Sequence, residues 1–308
     1  MGILLLTLTL FAYDKEGVRE VNRVRQSAGM ISLKNNYELS RSAYHHVKYL
    51  GRLRRKGHGE KPGSGYFTGR TPSERMIRAG YPSRAGVENI SYGDRSYAHS
   101  VRVLMATLYH RLAFLDFRVD EMGSSEYGNR RGRIYVYDLA SSAVAKLCRG
   151  SGTGGRGSQY IYRICADPKK KISRSSFARA LAGVERRNPR VILYPPDGAR
   201  NVPRRFIRET PDPIPRVYGA GYPVTVQLNP AYYRRVKLRR FRLYDEKGKR
   251  VKSRVITGKG DPHHKLLPTD FALIPLTTLK PRSRYRVEFE AVADGKRLRR
   301  EWSFVTGS

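Results

Sequence analysis

The composition changes near Lys169-Lys170-Lys171, and beyond Asn188-Pro189 the apolar pattern alternates throughout; this change constrains the fold more than any other feature. Before Asn188-Pro189, runs in which apolar residues return every three or four positions are mixed with alternating ones; after it, only alternation remains. Helical and strand periods place side chains on incompatible faces, so the two halves need different layer architectures.

In the first half, Val18, Val21 and Val24, with Arg and Glu between them, predict an amphipathic helix that stops at Gly29. Asn36 caps a second helix with Leu39, Ala43, Val47, Leu50 and Leu53 on one face, ending near Gly57, so His58 stands just beyond a packed rod. His45 and His46, inside that helix, read as structural or surface residues. Thr71-Pro72-Ser73-Glu74 is a helix start, with Thr71 as cap, Pro72 in the first turn and Glu74 reaching back. Ser96 caps a longer helix through Val101, Leu104, Met105 and Leu108, which delivers His110 at its C-terminal end. Residues 133–137 and 159–164 read as paired strands around a Gly-rich loop, residues 150–157. That loop lacks the Gly-Lys-Ser/Thr ending of a phosphate loop.

In the second half, residues 173–187 form a basic helix broken by Asn188-Pro189. Alternating runs at 224–228, 241–244, 285–291 and 302–305 then predict roughly seven strands in a β-sandwich.

The landmarks of the first half resemble the CAP superfamily of cysteine-rich secretory, antigen 5 and pathogenesis-related proteins, in its bacterial form called the SCP domain. They are His58, the Thr-Pro-Ser-Glu-Arg helix start followed by Ala79-Gly80-Tyr81, Glu88-Asn89-Ile90-Ser91, and His110-Arg111 followed by Glu121-Met122-Gly123. Their order, more than any one of them, carries the resemblance, and it covers the N-terminal half only. It implies an α/β/α sandwich and a cleft holding His58, Glu88 and His110. Glu60, two residues from His58, joins them on the residues' own pattern. Residues 279–285 look like the turn and tyrosine corner of fibronectin type III and bacterial immunoglobulin-like domains, with Trp302 filling the core. The predicted fold class is therefore α+β: an apolar segment over 1–13, a CAP-like α/β/α sandwich over 14–168, a basic linker helix over 169–190 and an immunoglobulin-like all-β sandwich over 191–308.

Two imidazoles and a carboxylate could ligate a divalent metal such as zinc through His58, Glu88 and His110, or act as acid and base. Alternatively, they hold the Glu88 segment to its neighbours. No nucleophile elbow and no His-Glu-x-x-His helix is present, which weakens an enzymatic reading and leaves a hydrolase of peptide or glycan as the rival to a binding protein.

The chain has 308 residues, with 61 Lys and Arg against 26 acidic residues and a formal charge of +35. From residue 169 onward there are 34 basic and 12 acidic residues. Such a surface attracts polyanions: an anionic envelope polymer or lipid surface first, nucleic acid second. Tyr residues fall mainly on alternating strand positions, where cross-strand packing uses them. The apolar run over residues 3–12 is too short to span a bilayer. It reads either as the core of an export signal, for a secreted or periplasmic protein, or as a buried first strand. Cys148 and Cys165 are compatible with one disulfide or with two free thiols.

Overall fold

A computed structural model describes residues 15–129, 132–150 and 159–308. The apolar segment 1–13 and most of the Gly-rich loop lie outside the described residues.

The first half holds helices α1 (Lys15–Ser27), α2 (Tyr37–Leu53), α3 (Pro72–Arg78), α4 (Tyr97–Met105), α5 (Tyr109–Phe114) and α6 (Ser142–Arg149). Strands β1 (Lys34–Asn35), β2 (Gly86–Asp94), β3 (Glu121–Asn129) and β4 (Gly132–Ala140) form one sheet in the order β1-β3-β4-β2, which leaves β2 at an edge. The two-residue period of β4 sorts its side chains between two cores. Tyr135, Tyr137 and Leu139 join Val18, Val21, Val101 and Leu104 of α1 and α4. Val136 joins Ala43, Val47 and Leu50 of α2. The sheet thus lies between two helical layers. Asn36 caps α2 by accepting from the Leu39 amide at 2.9 Å, and Thr71 caps α3 by accepting from the Glu74 amide at 3.3 Å.

Two sequence expectations change. The helix predicted to run to His110 ends at Met105, and His110 lies in the first turn of α5 instead. Thr107, whose hydroxyl donates to the Leu104 carbonyl at 2.7 Å, helps close α4, and the new helix start is satisfied from a distant part of the chain. Residues 159–164 do not pair with 133–137. Strand β4 is flanked by β2 and β3, whereas β5 (Tyr160–Ile161) pairs with β6 (Ile172–Ser173). Glu88 lies within β2. Cys148, at the end of α6, and Cys165 form a disulfide with their Cα atoms 5.3 Å apart, so the bridge is the alternative the structure takes.

Helix α7 (Arg174–Glu185) occupies the basic segment and is capped by Ser173. The chain beyond α7 is tied down at once. The Asn188 amide group donates to the Phe117 and Val184 carbonyls, each at 3.2 Å, and Asn229 donates to the Glu185 carbonyl at 2.7 Å. Seven strands come next: β7 (Val191–Tyr194), β8 (Val224–Leu228), β9 (Val236–Tyr244), β10 (Ser253–Thr257), β11 (Asp270–Pro275), β12 (Arg284–Ala293) and β13 (Lys296–Val305). They form two antiparallel sheets, β10-β11-β8-β7 and β13-β12-β9, around Val224, Val226, Leu243, Val287, Phe289 and Trp302. The two-residue loop Asp294-Gly295 joins β12 to β13 with φ of 48° and 82°, the positive pair that matches hairpin twist. The Tyr285 hydroxyl accepts from the Lys280 amide at 2.8 Å and holds the corner before β12.

The segment between α4 and α5 is plugged into this second half. Ala106 joins the sandwich core, and Leu108 packs with Phe206, Ile214 and Ile274. The buried Arg111 guanidinium donates to the carbonyls of Met105 and Pro223, between the rings of Tyr222 at 4.5 Å and Tyr194 at 5.0 Å.

Candidate ligand cleft

Edge strand β2 presents alternate residues to opposite sides of the sheet, and its Glu88-Asn89 pair uses both. Glu88, wholly buried, accepts from His58 Nδ1 at 2.8 Å and from the Arg75 guanidinium at 2.6 Å. Asn89 donates to the carbonyl of His110 at 2.9 Å. One dipeptide therefore ties the His58 loop to the sheet and fixes α5 beneath it.

Burial pushes the Glu88 carboxyl up. The His58 hydrogen bond and the charges of Arg75 and the neighbouring histidines outweigh that and hold it below the usual carboxylate range. Its register partner on β4, Asp138, goes the other way: burial, then the charge of Glu88, push it well above the usual range. Of two buried carboxyls side by side, the one beside Arg75 carries the charge and Asp138 keeps the proton.

Glu60 is not part of the cleft. It lies behind it, buried, accepting from His46 Nδ1 at 2.9 Å and from the amides of Thr68 at 2.5 Å and Gly69 at 3.2 Å, which folds the 60–69 loop. Two residues from His58 would share its side only if the segment were an extended strand, and the residues from 54 to 71 form turns.

His58 and His110 do share the cleft, a cavity of about 290 Å³. One wall holds His58, Val87, Glu88, Asn89 and His110; the other holds Thr210, Pro211, Gln227, Lys265 and Asp270 from the second half. His110 Nδ1 lies 2.8 Å from Glu209 Oε2. The same carboxylate accepts from the amides of Leu108 at 2.6 Å and Tyr109 at 3.0 Å, so it caps α5 and orients the imidazole together. Thr107 donates its proton to Leu104 and lies 3.2 Å from His110 Nδ1, which makes Nδ1 the donor toward both the Thr107 and Glu209 oxygens. Burial drives the Asp270 carboxyl up to about 7, against the Leu267 amide that donates to it.

A three-donor metal set does not form from these residues. Among the described residues no group of three His, Cys, Asp or Glu side chains converges as metal ligands. Glu88 has one oxygen on His58 and the other on Arg75, whose fixed positive charge opposes a cation there, and His110 turns to Glu209.

Sequence reasoning overlooked Arg75, Asp138, Glu209 and Asp270, and read His46, with His45, only as structural or surface. For His46 a signal exists: it falls in phase with Ala43, Val47 and Leu50, and its side chain is fully buried. Arg75 falls one turn after the Thr71 cap, pointing inward beside Met76. Glu209 has no local signal, since it comes from an irregular segment about a hundred residues from its partner.

Residues 18–139 match the family model described as the cysteine-rich secretory protein family, CAP. Among solved structures, the chain is similar to an extracellular protein containing an SCP domain from Bacillus anthracis, with a TM-score of 0.36 and 17% identity over 41% of this chain and 39% of that one. It is similar to an outer surface protein from Borrelia burgdorferi, with a TM-score of 0.35 and 18% identity over 41% of this chain and 89% of that one. A cysteine-rich secretory protein from Staphylococcus aureus has a TM-score of 0.30 and 17% identity over 40% of this chain and 36% of that one. The chain spans about two fifths of the length of the first of these structures. No curated protein matches it. Among the described residues no helix is long and apolar enough to cross a membrane.

Proposed function

We propose, starting from the match of residues 18–139 to the cysteine-rich secretory protein family model, that this chain is an extracytoplasmic binding protein whose cleft takes a small polar ligand. Its basic C-terminal sandwich docks it on an anionic envelope surface. The observation that carries the reading is that two histidine–carboxylate pairs, His58 with Glu88 and His110 with Glu209, meet at one cavity with a wall from each half. Each pair presents an oriented imidazole, the kind of convergent polar group that fixes a ligand in a pocket. We read the second half as an immunoglobulin-like sandwich, supported by its four-plus-three strand order and by the Tyr285 corner. The Cys148–Cys165 disulfide favours an oxidising compartment, and the 34 basic residues from 169 onward favour a polyanionic surface.

Calorimetry with soluble wall glycopeptides and short peptides tests the cleft. Wild type is expected to bind, with His58→Ala and His110→Ala at least tenfold weaker. Equal affinity in all three proteins would remove the cleft from the function. Zn²⁺ binding lost in both variants would instead support a metal-holding form of the site.

The hydrolase reading keeps one specific support: Nδ1 of His110 is taken up by Glu209, so in the neutral ring Nε2 is the nitrogen that would accept a proton from a water or substrate hydroxyl. Turnover of glycan or peptide by wild type and not by His110→Ala would favour it.

A further inference from the structure

Helix α2 buries one face in the sheet and leaves the other uncovered, and the uncovered face has an unusual composition. Between Glu38 and Glu60 the chain contains no acidic residue and six cations: Arg41, Lys48, Arg52, Arg54, Arg55 and Lys56. Arg41, Lys48 and Arg52 follow one another at spacings of seven and four, which places them on one side of the helix, and Arg54, Arg55 and Lys56 come directly beyond its end. All six but the half-buried Lys48 are exposed. Glu38, the nearest acid before them, is turned to Arg149 at 3.6 Å, and none of the six stands in an ion pair among the described residues.

The charges are held rather than loose. Lys48 lies over the rings of Tyr44 at 5.8 Å and Tyr66 at 5.4 Å, Arg52 over Tyr127 at 5.7 Å, and Lys56 over Tyr92 at 5.7 Å. Gly51 lets the Tyr127 ring lie across the helix, since a Cβ there would stand 2.0 Å from the ring. His45, beside the row, feels it: burial first, then Arg41 and Lys48, push its imidazole down, with Glu60 opposing.

We infer that this face of α2 is a docking surface for a linear anionic polysaccharide, distinct from the basic sandwich. The row runs about 17 Å along α2 from Arg41 to Arg52 and goes on into the residues just beyond the helix, a line of charge that suits a chain with repeating negative groups. A membrane surface needs an apolar face to bury, and the only large hydrophobic residues exposed near the row, among the described residues, are Tyr37 and Tyr66. A single-stranded nucleic acid needs open ring faces for its bases, and Tyr44, Tyr66, Tyr92 and Tyr127 are each partly covered by a cation of the protein itself.

Heparin serves as the probe, titrated into the full chain by calorimetry at several salt concentrations. The triple variant Arg52→Ser/Arg55→Ser/Lys56→Ser is expected to bind at least tenfold more weakly at about 0.1 M salt, with the slope of log affinity against log salt shallower by about two. Arg239→Ser/Arg240→Ser/Arg242→Ser on β9 measures the sandwich separately, so the failure of one surface is distinguishable from failure of the other. Independently of any variant, heparin is expected to protect Lys48 and Lys56 of the wild type from acetylation. Affinity of the α2 variant within twofold of wild type, or equal labelling with and without heparin, overturns the inference. So does tighter wild-type binding to phosphatidylglycerol vesicles or single-stranded DNA than to heparin.

Discussion

Asp270 shows how one residue of the cleft couples the fold to pH. Its carboxyl is buried on β11, opposite Gln227 of β8, and one of its oxygens has no hydrogen-bond partner. Burial raises its pKa from 3.8 to about 7. In that interval the folded chain keeps a proton that the unfolded chain has lost, so stability falls as pH rises from about 4 towards 7. The shift corresponds to about 4 kcal/mol if fully expressed. Asp270→Asn removes this titration. Urea unfolding of both proteins between pH 4.5 and 8 should show wild type losing ground to the variant as pH rises. A difference independent of pH would mean that Asp270 is charged throughout.

At the scale of elements, the close approach of α2 to the sheet depends on Gly123. A Cβ at that position of β3 would stand 1.9 Å from the Ser40 amide nitrogen and 2.3 Å from the Leu39 carbonyl carbon, both backbone atoms of the first turn of α2. Backbone cannot rotate away as a side chain can, so the helix itself must move. Gly123→Ala is expected to cost about 2–3 kcal/mol, within the range for overpacking, and to lower the denaturant midpoint with little change in slope. A midpoint within error of wild type would show that α2 has room to shift. The caps of α2 and α3, by contrast, were readable from Asn36 and Thr71, because capping is settled within three residues. The split between α4 and α5 was not, since Val101, Leu104 and Leu108 continue the helical period across it. What ends the pattern is Glu209, which takes the amides at the start of α5.

For the whole molecule, the halves that differ in period do not behave as beads on a string in the structure. Arg111 is wholly buried and reaches across to the Pro223 carbonyl at 2.5 Å, while Tyr109 donates to Asp261 at 2.5 Å and Gln227 reaches the Leu115 carbonyl at 3.5 Å. A shared, hydrogen-bonded interface of this kind makes the two halves unfold together. Arg111→Ala strands the Pro223 carbonyl and empties the space between Tyr194 and Tyr222. We expect a loss of about 3 kcal/mol and a single wild-type melting transition that splits into two in the variant. Two transitions already present in wild type would sink this coupling.

The sequence by itself determined the local and periodic features: the amphipathic faces of α1, α2 and α4, the alternating strands of the second half, the Asp294-Gly295 hairpin and the net charge. Through the resemblance of its landmarks to the CAP superfamily, it also singled out His58, Glu88 and His110. These properties depend on neighbours within a turn or a strand, and short-range chemistry is written in order along the chain. Only the tertiary structure decided which carboxylate meets which imidazole. Glu60 went to His46, Arg75 came to Glu88, and Glu209 crossed from the second half to His110. Such pairings depend on burial and on the packing of segments many residues apart. Burial raises both Glu88 and Asp138; their neighbours send them in opposite directions, the His58 hydrogen bond and the Arg75 charge lowering Glu88 and the charge of Glu88 raising Asp138, because a low-dielectric interior makes each charge depend on every other charge enclosed with it.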